Sequence, residues 1–205
     1  MKKTPVLNDP NVQDGSSGSY GTYTKISNKV GLKIIDRSCH SDEDLADDYK
    51  SFLNHITEYD HISVKDIGFL DEAARELVAM QMLRGTGCTP KPKGLCWIRN
   101  RKKRLQIGIL MEHIEGDELA NVSNNSDAEC DRMEDRCKVA WRNRFGISVY
   151  DWHDSNIMVE KKTGRRVRID FSPDYFGVSD SRFKEFSDRV IIEVLNLMEN
   201  CPIGA

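Results

Sequence analysis

The sequence predicts an α+β fold in which paired strands and amphipathic helices follow one another along 205 residues. Three observations support this prediction. Short apolar or alternating runs separated by turn residues predict three strand hairpins. Helix-favouring stretches with apolar residues every three or four positions predict three long helices. Finally, the chain is long enough for one sizeable core, or for two small lobes that share a cleft.

The composition is that of a globular protein, with 39% hydrophobic and 31% charged residues. The net charge of -3 provides no positive field that would recruit nucleic acid or an anionic membrane, and we expect neither partner. The sequence has neither the apolar core of a cleavable secretory signal nor a membrane-spanning apolar run. Its six cysteines show no C-x-x-C spacing, which indicates reduced thiols in a cytosol.

The N-terminal part contains a glycine-rich segment followed by two predicted strands. Residues 1–14 are polar with two prolines, and we expect a flexible leader there. The segment D-G-S-S-G-S-Y-G-T-Y then passes into a strand, a turn at Asn28-Lys29, and a second strand that carries Lys33. One interpretation is a hairpin over phosphates, in which glycines let backbone amides approach closely and Lys33 adds a cation. The alternative is a Gly/Ser linker followed by an ordinary hairpin.

The next strong element is a helix predicted from Phe69 to Leu83. One of its faces is apolar and comprises Leu70, Ala73, Leu77 and Met80. Glu76 lies among these apolar neighbours, where a charge needs a partner, so it is better placed than Glu72 to pair with Lys33. The alternative is a solvent-facing glutamate beside a core stripe.

Two further strands, 95–99 and 105–111, are predicted to pair around a basic turn at residues 99–104. The second strand runs into M-E-H-I-E-G, an extended segment that leaves the sheet. In a two-lobed nucleotide enzyme, the backbone of such a hinge reads the adenine edge, here from Glu112 to Ile114. A core helix follows at 127–145. The sequence assigns no function to residues 36–68 or to the basic turn.

The stretch from Gly146 to Phe171 brings together groups suited to phosphoryl transfer. Asp151 is followed after five residues by Asn156, and then by a strand, a Gly turn and a second strand that ends at Asp170. Because a tight hairpin places the outer ends of its strands side by side, we expect Asn156 to lie next to Asp170. One carboxylate then meets a hydroxyl, while an amide oxygen and a second carboxylate hold a hard cation. The last helix is predicted at 182–200.

Taken in order, these segments resemble the protein-kinase-like superfamily over roughly residues 15–200. The matching segments are S-S-G-S-Y-G-T-Y, V-G-L-K-I-I, Y-D-W-H-D-S-N-I-M-V and I-D-F-S. The resemblance implies a minimal bilobal kinase-like α+β fold in a single domain at 15–205. It has an antiparallel-sheet N-lobe at about 15–111 with one αC-type helix, a hinge at 112–116 and a reduced helical C-lobe at 117–205.

The same resemblance implies that a lysine and a glycine-rich loop contact the phosphates of ATP. Lys33 would hold the α- and β-phosphates and pair with Glu76. The loop that covers the phosphates would consist of Gly18, Ser19, Tyr20 and Gly21. ATP is therefore the expected phosphate donor.

The remaining roles that the resemblance implies concern adenine, the acceptor and the metal. Glu112 and Ile114 would contact adenine through their backbone. Asp151 would orient the attacking hydroxyl and accept its proton, and Asn156 and Asp170 would hold Mg²⁺. Catalysis is thus expected to depend on Asp151, on Asp170 and on the phosphate-holding lysine.

The chain departs from the family pattern at several positions. The first loop glycine is Ser16, the histidine before the catalytic aspartate is Val149, and Ser172 follows Asp-Phe in place of glycine. Asp154 competes with Asp151 as catalytic base, but only Asp151 has the five-residue spacing to the asparagine. The sequence has no A-P-E, so we expect no long activation segment and no regulation by its phosphorylation.

The favoured function is an ATP- and Mg²⁺-dependent Ser/Thr protein kinase. The size and pattern are most similar to minimal effector kinases that bacteria inject through type III secretion, without a cleavable signal, into the host cytosol. That likeness implies a monomer that phosphorylates and inactivates the eukaryotic ninety-kilodalton heat-shock chaperone. Two alternatives remain open: a small-molecule kinase of the aminoglycoside or choline type, and a nucleotide-binding pseudokinase that serves as an interaction module.

Overall fold

The computed structural model of the protein describes residues 4–8, 17–18, 21–35, 64–99, 105–124, 126–145, 148–149, 153–171, 173–174 and 181–200. Several predicted features lie outside these residues. They are most of the leader, the loop tip at Ser19 and Tyr20, the acidic segment up to residue 63, the tip of the basic turn and Asp151.

The described elements alternate between strands and helices, as the sequence predicts. In chain order they are β1 (Val6–Asn8), β2 (Ser17–Gly18), β3 (Gly21–Ser27), β4 (Val30–Ile35), α1 (Val64–Met82), β5 (Pro92–Arg99), β6 (Leu105–Met111), β7 (Gly116–Glu118), α2 (Leu119–Val122), α3 (Ser126–Phe145), β8 (Ser148–Val149), a 3-10 turn (Asp154–Asn156), β9 (Ile157–Glu160), β10 (Arg166–Arg168), β11 (Pro173–Asp174) and α4 (Ser181–Glu199).

The larger sheet is mostly antiparallel, and the described strands follow the order β1-β5-β6-β4-β3-β2. The two predicted hairpins of this region are present, with β3 paired to β4 and β5 paired to β6. β4 also pairs with β6, which joins both hairpins into one sheet. The predicted helix α1 is also present, although it begins at Val64 rather than at Phe69.

The N-terminal leader is not wholly flexible, and this part of the sequence prediction is wrong. Val6–Asn8 form β1, which runs parallel to β5 with Val6 opposite Trp97. The Trp97 N–H also donates to the Pro5 carbonyl at 2.9 Å. A sheet edge offers unpaired N–H and C=O groups that even a short segment can satisfy. Residues 6–8 of the leader therefore cover one edge of the sheet.

The main core lies between this sheet and two helices. One face of the sheet packs on α1, and α4 packs on α1 in turn. The predicted apolar face of α1 is buried, and so are the inward residues of α4 that the structure describes, Phe186, Val190, Val194 and Leu197. The last helix, which the sequence places in the predicted C-lobe, therefore packs on the helix of the predicted N-lobe.

Alternation along β4 places a charge in this core. Leu32 and Ile34 point to a second apolar cluster on the opposite face of the sheet. Ile35 points into the main core, and Lys33 shares that face because side chains in a strand alternate between the two sides. Lys33 is only 7% exposed. The strand thus directs its lysine towards α1 instead of towards solvent.

A smaller unit is built from β7, β9 and β10, with α2 and α3 beside them. β10 and β9 form the predicted antiparallel hairpin, and β7 pairs with the other side of β9. Cys130, Met133 and Cys137 on one face of α3 pack with Leu119 and Ile157. These two cysteines are therefore packing residues of the helix predicted at 127–145.

The β9–β10 turn depends on Gly164, which has a φ of 69°. An added Cβ would meet no heavy atom of the described residues within 4 Å, so only the backbone conformation disfavours a side chain. We expect Gly164→Ala to lower the free energy of unfolding by about 1 kcal/mol. Gly164→Asn should cost less, because asparagine tolerates this conformation. Urea unfolding measures both, and an alanine variant as stable as the wild type contradicts the prediction.

The α+β class is confirmed, with an antiparallel-rich sheet that carries one long helix and a smaller part with few helices. None of the described helices combines the length and apolar character needed to cross a membrane. Among the described cysteines, Cys88, Cys96, Cys130 and Cys137 are free thiols.

Candidate active site

The structure brings Lys33 and Glu76 together, as the sequence predicts. Both carboxylate oxygens of Glu76 accept hydrogen bonds of 2.9 Å from the Lys33 ammonium. Glu76 lies on the buried side of α1 and is 2% exposed. A charge buried to this degree requires a charged or hydrogen-bonding partner. The pair therefore fixes α1 against β4 at one defined point.

Asp170 completes the cluster from the segment that follows β10. Its Oδ1 lies 2.8 Å from the Lys33 ammonium, and its side chain remains 23% exposed. The N–H of Phe171 donates to Glu76 at 3.4 Å, so Glu76 also holds the backbone beside Asp170. Three segments far apart in sequence thus meet at one lysine.

The electrostatics of the cluster keep Lys33 charged. Burial disfavours the ammonium, but the negative charges of Glu76 and Asp170 outweigh burial and raise the pKa of Lys33 above its usual value. All three donors of Lys33 meet carboxylate oxygens, so an anion such as a phosphate can bind the ammonium only by replacing one of these acceptors.

Arg168 holds the backbone of Asp170 through a hydrogen bond, and the sequence prediction missed this residue. Its guanidinium is 1% exposed, donates from Nε to the Asp170 carbonyl and lies 5.6 Å from the centre of the Phe171 ring. Its backbone N–H donates to the Cys88 carbonyl at 2.9 Å. The only sequence signal is an arginine two residues before Asp170, between Val167 and Ile169.

Asn156 ends the 3-10 turn directly beside the Asp170 segment, as the hairpin argument predicts. Its carbonyl accepts a hydrogen bond of 2.9 Å from the Ile169 N–H, so Asn156 borders the residue that precedes Asp170. Among the described residues, no group of three or more His, Cys, Asp or Glu side chains could hold a metal. A cation here would therefore rely on Asn156, Asp170 and ligand oxygens, which is how Mg²⁺ is commonly held beside phosphates.

The glycine-rich hairpin is present on either side of its tip. Gly18 pairs with Gly21 and Ser17 pairs with Thr22, which leaves Ser19 and Tyr20 as the connecting residues outside the described part. Two residues farther along β3, Tyr23 pairs in register with Lys33 on β4. The strand that leaves the glycine-rich hairpin therefore runs beside the strand that carries Lys33.

A cavity of about 240 Å³ opens beside the cluster. Its apolar walls come from both parts of the fold, and its polar residues lie on β7 and α2. The lining residues are Tyr23, Ile114, Gly116, Asp117, Glu118, Asn121, Met158 and Ile169. Ile169, which lines the cavity, directly precedes Asp170 in the sequence. One wall of the cavity is thus next in sequence to a member of the charged cluster. Apolar walls with a few polar groups are typical of a site for a flat organic ring.

The predicted hinge borders the cavity through one of its two named residues. Ile114 is 4% exposed and lines the cavity. The Glu112 side chain instead points to Arg165, at 3.2 Å, and accepts a hydrogen bond of 3.1 Å from the Lys91 N–H. The Glu112 N–H donates to the Lys91 carbonyl at 2.9 Å, so of its polar groups the backbone carbonyl is left for the adenine contact predicted from the sequence.

Sequence reasoning also missed Tyr23 and His113. The Tyr23 hydroxyl lies 2.8 Å from His113 Nδ1, and the two rings are stacked with 6.1 Å between their centres. The sequence does place Tyr23 two residues after Gly21, where a strand residue would face the cavity. It gives no sign that its ring reaches the hinge.

No protein-family model and no curated protein sequence matches the chain. Among solved structures, the chain is similar to the Rio2 kinase–ADP/Mg²⁺–phosphoaspartate complex from Chaetomium thermophilum, with 16% sequence identity and a TM-score of 0.46. The match covers 91% of this chain and 54% of that chain, so the protein spans about half the length of the solved kinase.

Proposed function

We propose that the protein is an ATP- and Mg²⁺-dependent kinase that transfers the γ-phosphate to serine or threonine of another protein. One observation supports this most directly: the nearly buried Lys33 is held by Glu76 and Asp170 beside a ring-sized cavity that borders the hinge. A fixed cation next to a base-sized pocket suits a nucleotide triphosphate. Positioning and charge stabilisation supply most of the catalysis in phosphoryl transfer.

The hydrogen bonds of Lys33 suggest how a nucleotide is accommodated. An ammonium has three donors, and here two meet Glu76 while one meets Asp170. A phosphate oxygen must therefore replace one of these acceptors. Asp170 is the more exposed partner, so we expect it to yield its place while Glu76 keeps Lys33 in position.

The same exchange frees a carboxylate for the metal. Asp170 and Asn156 would then hold Mg²⁺ together with phosphate oxygens. When bound, Mg²⁺ neutralises the charge that develops on the phosphate oxygens during transfer. Arg168 keeps the Asp170 backbone in place through its bond to the carbonyl.

The acceptor hydroxyl is proposed to meet Asp151, which would orient it and accept its proton. This assignment rests on the five-residue spacing between Asp151 and Asn156 and on the resemblance of the surrounding segment to kinase catalytic loops. Asp151 would belong to the same loop as Asn156, which borders the Asp170 segment. The attacking oxygen and the metal would then lie on the same side of the site.

We further propose that the acceptor is a host protein, with the eukaryotic ninety-kilodalton heat-shock chaperone as the first candidate. The support is the likeness to minimal effector kinases delivered by type III secretion, which also suggests a monomer that acts in the host cytosol. No role for nucleic acid or a membrane is proposed.

The test is transfer of labelled γ-phosphate from ATP, with Mg²⁺, into a eukaryotic lysate and into the purified chaperone. We expect a labelled protein with the wild type and none with Lys33→Met. Label confined to small molecules would replace the proposal with a small-molecule kinase. ATP binding without transfer to any acceptor would replace it with a pseudokinase.

A further inference from the structure

The phenol of Tyr23 forms part of the wall of the cavity proposed for the base. Its ring stacks on His113, with an angle of 17° between the planes, and its hydroxyl lies 2.8 Å from His113 Nδ1. His113 belongs to the predicted hinge, so the phenol joins β3 to the hinge along this wall. The position of the ring therefore decides how far a base can enter the cavity.

The same hydroxyl also lies close to the backbone of Ile114, one of the two positions expected to read the adenine edge. A base that reads this position needs the Ile114 backbone accessible. The phenol and a base therefore compete for the same part of the hinge.

The protonation states suit this arrangement. Partial burial, followed by the charge of Lys25, lowers the pKa of His113, which keeps Nδ1 free to accept a hydrogen bond. Burial raises the pKa of Tyr23 to about 12, so its hydroxyl keeps the proton that it donates. The phenol can thus donate its proton in a hydrogen bond to His113 Nδ1.

Gly31 on the neighbouring strand makes room for the phenol. A Cβ at Gly31 would lie 2.1 Å from the Tyr23 hydroxyl oxygen and 2.6 Å from its ring carbon Cζ. These distances are far inside van der Waals contact, so any other residue at this position would push the ring away. The glycine and the tyrosine fit together as a pair.

We propose that Tyr23 is a gate on the base site, and that a nucleotide base binds only after the phenol has left His113 and the hinge. This inference rests on the proposed nucleotide-dependent function. In the free protein the gate is closed, whereas phosphates can reach Lys33 by displacing Asp170 without opening the gate. Base binding therefore carries the cost of opening the gate, and phosphate binding does not.

The test compares Mg²⁺–ADP with Mg²⁺–tripolyphosphate, which lacks the base, by calorimetric titration of the wild type and Tyr23→Phe. The variant keeps the ring and loses only the hydroxyl and its bond to His113. We expect ADP to bind roughly fivefold more tightly, which corresponds to one net hydrogen bond that no longer needs to be broken. Tripolyphosphate affinity should stay unchanged.

Gly31→Ala reaches the open state by a second route, because it displaces the phenol while the tyrosine is retained. It should also tighten ADP binding. Equal ADP affinity in the wild type and Tyr23→Phe would overturn the gate, as would an equal change for tripolyphosphate. If neither ligand binds the wild type or Tyr23→Phe, the proposed function itself fails.

Discussion

Replacing Asp170 with asparagine is expected to lower the rate of phosphoryl transfer by about three orders of magnitude, since a metal clamp supplies several kcal/mol of transition-state stabilisation. The amide is nearly the same size but cannot offer the metal a negative charge. Because the Asp170 side chain is 23% exposed and Lys33 keeps both bonds to Glu76, the fold should survive. Single-turnover transfer with labelled ATP measures the loss.

Two measurements separate this effect from unfolding. The matched control is Asp188→Asn, an exposed aspartate on α4, which should leave transfer unchanged. In Asp170→Asn the Mg²⁺ concentration needed for half-maximal nucleotide binding should rise, while urea unfolding stays close to that of the wild type. Transfer within tenfold of the wild-type rate would remove Asp170 from the metal site.

Sequence reasoning found the Lys33–Glu76 pair but not the contact of Lys33 with Asp170. Glu76 is a carboxylate in an apolar helix face, where a charge needs a partner, and Lys33 is the partner that the sequence analysis proposes. The place of Asn156 beside Asp170 followed from hairpin geometry alone. These inferences require no knowledge of how distant elements pack.

The features that sequence reasoning missed are set by tertiary contacts. Val6–Asn8 have no alternating pattern long enough to predict a strand, and the free edge of β5 decides their structure. The Tyr23 ring reaches the hinge because Gly31 leaves it space, which only the pairing of β3 with β4 reveals. Likewise, an amphipathic helix such as α4 shows which face it buries but not against which partner.

The second large effect is expected for Glu76→Gln, which should lower the free energy of unfolding. Removing one partner of a buried ion pair leaves the other charge poorly compensated, at a cost of about 3–5 kcal/mol. Since Lys33 keeps its bond to Asp170, we expect a loss near the lower end, about 3 kcal/mol, in the free energy of unfolding. Urea unfolding measures it. Glu72→Gln, one turn away on the same helix and half-buried, is the control and should cost much less.

The double variant Lys33→Met with Glu76→Leu then separates stability from function. Apolar residues of similar size can replace a buried ion pair with little loss, or even a gain, in stability. We therefore expect the double variant to regain most of the stability that Glu76→Gln loses, and to remain inactive because no cation meets the phosphates. If the double variant unfolds as readily as Glu76→Gln, apolar residues do not replace the pair. Lys33 and Glu76 then stabilise the fold by more than neutralising each other's charge. If the double variant transfers phosphate, Lys33 and Glu76 do not form the nucleotide site, and the proposed mechanism is wrong.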